Sequence, residues 1–337
     1  MSADNISILL LSDTHIGFDH PLTNKPSKKR RRGFDFLNNF KLVVNRALEL
    51  KVDYVIHCGD VFEKASVPTF LVDQTYAEFL RLANAEIQIL IVPGNHERSA
   101  LPPSLFLNHP NIHIFDVART YSFAKLSISG FPYYKGDIRS KFPSIRTKLG
   151  KNVSKSDFNI LCVHHAIDGV KAGHHFFEFR NRKDTLNIKD LPGDFDIVLS
   201  GHIHKHQILE APSKAGKNVP IIYSGSTEKT MFDEINETKG YHILNIECKT
   251  FTHEFLPLRT RPMYQIDLRN ISLTIEQLAE FLSIRMKTFE SDAIVQINSD
   301  EKDILYELSK LKTKGFFNDS MNITLSGFSS LHRRGQD

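Results

Sequence analysis

Five short apolar stretches of this chain stop abruptly in side chains that bind metal ions, and this constrains the fold more than any other feature. They read LLLSDTH (Asp13, His15), VIHCGD (Asp60), LIVPGNHE (Asn95, His96), ILCVHH (His164, His165) and IVLSGHIH (His202, His204). Short apolar runs bounded by polar turn residues are the pattern of buried parallel strands. In an open α/β sheet, ligands gather beyond the carboxyl ends of the strands, so endings scattered over almost 200 residues can meet at one place. Gly59, Gly94 and Gly201 each stand one residue before a candidate ligand, where the missing side chain lets the backbone turn sharply and come close to an ion. A lone DxH or GNHE is weak, because turns favour these residues anyway. Five of them, each behind a strand, are not.

The elements between these endings set the architecture. Strands Ile6 to Leu11, Tyr54 to His57 and Ile87 to Val92 alternate with helices near Phe34 to Leu50 and Phe70 to Ala83, a βαβαβ order that right-handed crossovers turn into a parallel sheet. From about Asn111 strand follows strand with few long helices between them, predicting a second sheet packed on the first: a two-sheet α/β sandwich. From Pro262 a fresh βαβαβ pattern begins, predicting a small α+β domain. The expected division is 1–260, 261–327 and a tail of 328–337. At 337 residues the chain has the length of about two ordinary domains.

Composition narrows the class. Hydrophobic residues at 41% and charged residues at 24% exclude a disordered or fibrous protein. The balance of 43 Lys and Arg against 39 Asp and Glu gives only +4, too mild by itself to indicate a nucleic-acid binder. Cys58, Cys162 and Cys248 have no CxxC spacing and are odd in number, which fits a reducing cytoplasm rather than a disulfide framework or a zinc knuckle. The apolar run Ile6 to Leu11 is far too short for a membrane span, so no membrane is expected.

The residue types predict the chemistry. One carboxylate with two imidazoles, and an amide oxygen with two imidazoles, make two mixed oxygen and nitrogen sites if Asp60 bridges them. Such sets suit Mn, Fe or Zn better than Ca or Mg. Two divalent metal ions ~3.5–4 Å apart clamp an in-line displacement at phosphorus, which points to phosphoester hydrolysis.

The order and wording of these motifs resemble the calcineurin-like metallophosphoesterase superfamily. Carried over residue by residue, the resemblance implies that Asp13, His15, Asp60 and His204 hold one metal, and that Asp60, Asn95, His164 and His202 hold the other. His96 is then the non-ligand histidine that contacts the scissile phosphate and protonates or stabilises the leaving oxygen. His164 is chosen over His165 because the family's ligand directly follows its strand. Glu97 stands where the family more often has Asp, and is expected to orient His96. Within the superfamily, DTHIGF, GDVFEKASVP, VPGNHERS, SGHIHKHQ, YSGSTEKTMFDEINETKGYHILNIE and LRTRPMYQIDL resemble the SbcD-type DNA repair nucleases, relatives of the eukaryotic meiotic recombination eleven nuclease. That implies a Mn-dependent 3′-to-5′ exonuclease and single-strand or hairpin endonuclease, with Pro262 to Leu325 as a capping domain.

DNA as partner has a separate, softer basis in the sequence. Lys28, Lys29, Arg30, Arg31 and Arg32 follow the first metal motif, and Lys and Arg contacts to phosphate supply most non-specific affinity for a duplex. A solvated charge run or a localisation signal is the competing reading. A second basic stretch runs from Lys135 to Lys155. Phe70, Leu71, Phe79 and Leu80 form a helical stripe that reads as core, although the resemblance places dimerisation in that region, so a homodimer is expected. The resemblance also implies an SbcC-type, SMC-like ATPase partner, gripped in long family members by helices beyond the cap; this sequence stops at Asp337, soon after it. Two other classes stay open: a small-molecule or nucleotide phosphodiesterase or phosphatase with the same two metals, and a degenerate scaffold, which would have lost ligands that are all present here.

Overall fold

A computed structural model describes residues 5–19, 32, 34–151, 153, 158–173, 177–191, 194–212, 218–269, 271, 273–317 and 321–327. They form two compact units, one of residues 5–18, 32–228 and 236–260, the other of 19, 229–235 and 261–327. Residues 229–235, read from the sequence as part of the first segment, therefore group with the smaller unit; the 328–337 segment lies outside the described residues.

The larger unit is built on two six-stranded sheets. In the first, Asn5–Leu11, Tyr54–His57, Gln88–Ile91 and Ile112–Ile114 run parallel, and Gly240–Glu247 and Thr250–Pro257 add antiparallel on the other side of Asn5–Leu11. In the second, Leu126–Gly130, Phe158–Val163, Ile197–Ser200 and Val219–Tyr223 run parallel between antiparallel edges Arg119–Ser122 and Gln207–Ala211. Side chains alternate across a strand, and here both faces are buried. Leu9 and Leu11 pack with Phe40, Val43 and Phe79 of helices Asp35–Leu50 and Thr69–Asn84. Ile8 and Leu10 face the other way, joining Ile56, Ile160, Leu199 and Ile222 in the layer between the sheets. On the outer side of the second sheet, Leu161 and Val198 pack with Phe142 of helix Ile138–Gly150.

That last helix is absent from the sequence reading. Pro143 lies inside it and removes a backbone donor, and its surface is studded with Lys and Arg, so its apolar period is faint. Two cations of the second basic stretch are tied down here: Arg139 pairs with Asp168 (2.8 Å), and Arg146 donates to the Asp190 carbonyl (3.1 Å).

The smaller unit holds a parallel sheet of Met263–Asp267, Ile294–Asn298 and Asn322–Ser326, with helices Ile275–Met286 and Lys302–Thr313 as the crossovers. Thr274 opens the first helix with a capping box: its hydroxyl accepts the Gln277 N–H, and the Gln277 side chain takes the Thr274 N–H (2.9 Å). Leu278, Leu282, Val295, Ile297 and Leu308 form a core of its own. Among the described residues no helix is long and apolar enough to cross a membrane.

Candidate dimetal site

The carboxyl ends of the parallel strands carry the seven expected ligands to one place, with a backbone that ordinary residues avoid. Asp13, His15, Asp60 and His202 all adopt positive φ (51°, 41°, 52° and 80°). Non-glycine residues in this region are uncommon, and such strain persists only where surrounding structure over-determines it. The surroundings do so: Asp13 N donates to Gly59 O (2.9 Å), His15 N to Asp60 O (3.0 Å) and Ile16 N to Val61 O (2.9 Å), zipping the first two strand ends together. His202 N donates to both carboxylate oxygens of Asp13 (3.1 Å each), which joins the two sheets. The glycines make room. A Cβ on Gly59 would lie 2.1 Å from His164 Nδ1, and one on Gly94 would lie 2.1 Å from Asp60 Oδ1.

The placement of protons then decides what the cluster can hold. A carbonyl oxygen only accepts, so His164 Nδ1, 2.6 Å from Cys58 O, carries the proton in the neutral imidazole. Its Nε2 lone pair faces Asn95 Oδ1 (3.0 Å) and Asp60 Oδ2 (3.1 Å), and His202 Nδ1 lies 2.8 Å from that same Asn95 oxygen. His15 repeats the pattern: Nδ1 donates to the Glu63 carboxylate (2.9 Å), leaving Nε2 toward His204 Nε2 (3.0 Å), with Asp13 and Asp60 oxygens at 3.9 Å. Acceptors crowded against acceptors are repulsive unless protons or cations fill the gaps. The ligand atoms of Asp13, His15 and His204, and those of Asp60, His164 and His202, each lie within 4.8 Å of one another. Histidines that hold metals usually give their second N–H to a carbonyl or carboxylate, as His164 and His15 do here. The residues fit a pair of divalent ions.

The charges respond to this crowding. Burial raises the Asp60 carboxyl, but His164, His15 and His96 outweigh burial and hold it well below the usual carboxylate range. Burial lowers His164, and Asp60 reverses the effect, to about 9. His202, with His164 beside it, is pushed by burial down to about 4. His165 is different: Tyr134 N donates to its Nε2 (3.1 Å), and burial followed by His202 and His164 keeps it neutral, well below the ordinary histidine range. Its outer nitrogen is therefore already engaged.

His96 stands at the rim. Its side chain is 34% exposed, its N–H donates to Asp60 Oδ1 (2.9 Å), and its Nδ1 donates to Glu63 O (2.7 Å), so Nε2 is the nitrogen turned to the site, 3.9 Å from Asp60 Oδ2. It lines a cleft of about 650 Å³ with Asn95, Glu63, Lys64, Ala65, Ser66 and Arg98. Glu97 does not orient it. The Glu97 carboxylate accepts the N–H groups of Phe62 (2.8 Å) and Gly94 (3.0 Å), pinning the GNHE turn to the GDVF turn. Burial and the charge of Asp60 raise it to about 7. Glu63, which sequence reasoning missed, is the carboxylate beside His96, 3.5 Å from its Nδ1 while also holding His15. The only signal was its place in the quoted GDVFEK.

The basic run divides. Lys28, Lys29, Arg30 and Arg31 lie outside the described residues. Arg32 is a correction: its side chain is 1% exposed, pairs with Glu228 (3.3 Å) and Asp35 (3.6 Å), and lies over the rings of Phe36 and Phe18. A guanidinium committed in this way cannot also take a DNA phosphate. The long segment YSGSTEKTMFDEINETKGYH acquires a physical role at the same time. Ser224 Oγ meets Ser12 Oγ (2.7 Å), Glu228 accepts from Asn39 (3.1 Å), and buried Lys239 donates to the His204 carbonyl (3.0 Å) and to Glu237 (2.7 Å). Of the apolar stripe, Leu71 and Phe79 are fully buried in the molecule's own core, and Phe70 is exposed. His57 lies behind the DTH turn, where Thr14 Oγ1 bonds both its Nε2 (3.0 Å) and Val61 O (2.9 Å); burial lowers it to about 3. His174 and His175 lie outside the described residues.

Comparison with known proteins agrees with this geometry. The chain is similar to the DNA double-strand break repair protein Mre11 of Thermoplasma acidophilum, 25% identical over 319 residues, covering 89% of this chain and 79% of that one. It is 22% identical over 317 residues to Mre11 of Saccharolobus solfataricus (90% and 78% covered), and 26% identical over 224 residues to the metallophosphoesterase YhaO of Bacillus subtilis (63% and 50%). The family model of the calcineurin-like phosphoesterases matches residues 6–206, a span that holds all five strand endings from Asp13 to His204. The chain belongs to the calcineurin-like phosphoesterase family and is a metal-dependent phosphoesterase.

Proposed function

We propose that this phosphoesterase is a DNA nuclease acting in repair or end processing, with Asp13, His15, Asp60 and His204 holding one divalent ion and Asp60, Asn95, His164 and His202 the other. Mn is the expected metal, with Fe or Zn as alternatives, because the donors mix imidazole nitrogen with carboxylate and amide oxygen. When bound, such a pair of cations supplies Lewis-acid stabilisation of the phosphoryl oxygens and an activated water near neutral pH. The chain's own residues do the rest. Glu63 and the Cys58 carbonyl fix the tautomers of His15 and His164, so that both Nε2 lone pairs face inward. His96, its Nδ1–H held on Glu63 O, keeps Nε2 turned to the site, so that in the doubly protonated form the Nε2 proton passes to the departing sugar oxygen and the neutral imidazole is left. Lys64 and Arg98 flank the same cleft and match a polyanion.

The observation that carries this reading is the convergence of inward-facing acceptor atoms beside His96, whose partly exposed side chain turns Nε2 toward Asp60 at the rim. DNA as substrate draws on the similarity to the Mre11 proteins over about nine-tenths of the chain, and on the cations of the cleft. The basic residues Lys28 to Arg31 are proposed to add phosphate contacts, the protein to work as a homodimer, and an SbcC-type ATPase to be its partner. The test is incubation with end-labelled duplex, single-stranded and hairpin DNA, and separately with a cyclic nucleotide and a nucleotide monoester, in Mn, in Mg and in chelator. Mn-dependent shortening from 3′ ends together with hairpin nicking is the expected result. Turnover of the small esters with intact DNA would replace this reading by a nucleotide phosphodiesterase or phosphatase.

A further inference from the structure

Beside the candidate ligands lies an aromatic side chain that belongs neither to the ligand set nor to the proton path through His96. Tyr133 follows strand Leu126–Gly130 in the segment FPYYKGD. Its ring stacks on the buried His165 (centroids 4.8 Å apart, planes 16° apart) and lies 5.8 Å from the ring of His202 and 6.2 Å from that of His164. Its backbone N–H donates to Pro93 O (2.9 Å), two residues before Asn95, so the ring is tied to the same turn that carries Asn95 and His96. The side chain is half-buried, and among the described residues its hydroxyl has no hydrogen-bond partner.

The platform beneath it is rigid. Ser200 Oγ (3.1 Å) and Tyr223 OH (2.9 Å) both donate to the His165 carbonyl, and the next residue's own N–H, that of Tyr134, occupies His165 Nε2. His165 thus serves as a flat, neutral support for Tyr133. A half-exposed phenol held on such a support, with an unspent donor and two candidate ligands within about one ring's width, is a preorganised hydrogen-bond group of the kind that stabilises developing charge.

We infer that Tyr133 is a substrate-contacting residue, its phenol O–H donating to a non-bridging oxygen of the phosphodiester on the His164 and His202 side of the site. The inference rests on the dimetal phosphodiesterase reading. A phenol ionises only near pH ~10, so the hydroxyl is a donor at neutral pH. An O–H to a charged oxygen is worth roughly 10- to 100-fold in binding of the state that carries the charge. The stack itself needs only the ring, so Tyr133→Phe keeps the packing and deletes the donor.

The experiment measures kcat and KM of the Mn-loaded protein on bis-p-nitrophenyl phosphate, a diester without a base, and titrates inorganic phosphate calorimetrically into wild type and Tyr133→Phe, with Mn content determined for both. The expected result is unchanged Mn content, kcat/KM lower by roughly 10- to 100-fold, and phosphate affinity lower in the same direction. Equal kcat/KM and equal phosphate affinity in the two proteins would overturn the inference. So would loss of Mn by the variant, which would make Tyr133 a support for ligands and no more. A wild-type protein inert toward the diester, whose phosphate affinity still falls on Tyr133→Phe, would sink the enzymatic reading and leave the phosphate contact standing.

Discussion

Two clusters of histidines in the larger unit, one about the buried His164 and one about the buried His242, began from the same residue type and arrived at opposite chemistry at their centres. At the strand ends, His15, His164, His202 and His204 gather about Asp13, Asp60 and Asn95, and the outcome differs between neighbours: the charge of Asp60 overrides burial and raises His164 to about 9, whereas burial holds His202 down to about 4. In the second group, about His242, the neighbours are His206, His253 and Phe255, with ring centroids 5.9, 5.9 and 5.2 Å away. No carboxylate is among them. Burial, then His206 and His253, lowers His242 to about 3, and neither of its ring nitrogens has a hydrogen-bond partner among the described residues. Burial alone disfavours imidazolium, and a buried carboxylate within ~4 Å reverses the sign. The sixteen histidines are therefore not a signal by number; the acids beside a few of them are.

The largest effect that would sharpen this contrast is at Asp60, the one carboxylate shared by both expected sites. Asp60→Ala should lower phosphodiester hydrolysis by about a thousandfold or more and sharply reduce Mn content by elemental analysis, because removing the bridge costs several kcal/mol of charge stabilisation. Next is His96→Ala, expected to lower kcat by roughly 10² to 10⁴ with Mn content unchanged. If that variant lost its metals, the separation of His96 from the ligand set would fail. Arg32→Ala, outside both groups, should destabilise the fold by about 3–5 kcal/mol in urea unfolding, because it removes the buried guanidinium that pairs with the buried Glu228 carboxylate. Its salt dependence of DNA binding should match wild type, unlike that of a variant with Lys28 to Arg31 neutralised. Glu63→Gln should weaken Mn affinity by roughly 10- to 100-fold, by loosening the tautomer of His15.

The smallest effect tests the other side of the comparison. A histidine whose folded pKa is depressed from 6.5 to about 3 contributes stability that is fully present above about pH 6.5 and is lost progressively as pH falls toward 3, since the unfolded state takes up the proton first. His242→Leu, a substitution close in volume, should shift stability at pH 7.5 by less than about 1.5 kcal/mol. It should also flatten the stability profile between pH 6.5 and 4. A variant as acid-sensitive as wild type would show that His242 does not titrate in this way.

What could be read from the sequence follows from the same physics. The parallel strands were visible because their residues are apolar on both faces, as a doubly covered sheet requires: Ile8 and Leu10 turn to one layer, Leu9 and Leu11 to the other. The ligand residues were visible because strand ends place them in fixed order. Residues whose meaning depends on a partner far along the chain were not. Arg32 looks like the end of a charge run until Glu228, 196 residues later, is found beside it. Glu97 lies next to His96 in sequence yet serves the N–H groups of Phe62 and Gly94, while Glu63, 33 residues before His96, supplies the carboxylate and carbonyl that His96 meets. The helix Ile138–Gly150 was hidden by Pro143 and by a basic surface that masks its apolar face.

The central claim is that the inward-facing acceptors form two cation sites joined at Asp60. Counting Mn ions bound per chain by calorimetric titration, in wild type and in His204→Ala and Asn95→Ala, tests it most directly. Two ions are expected for wild type and one for each variant. A single ion in wild type, or two retained by either variant, would contradict it.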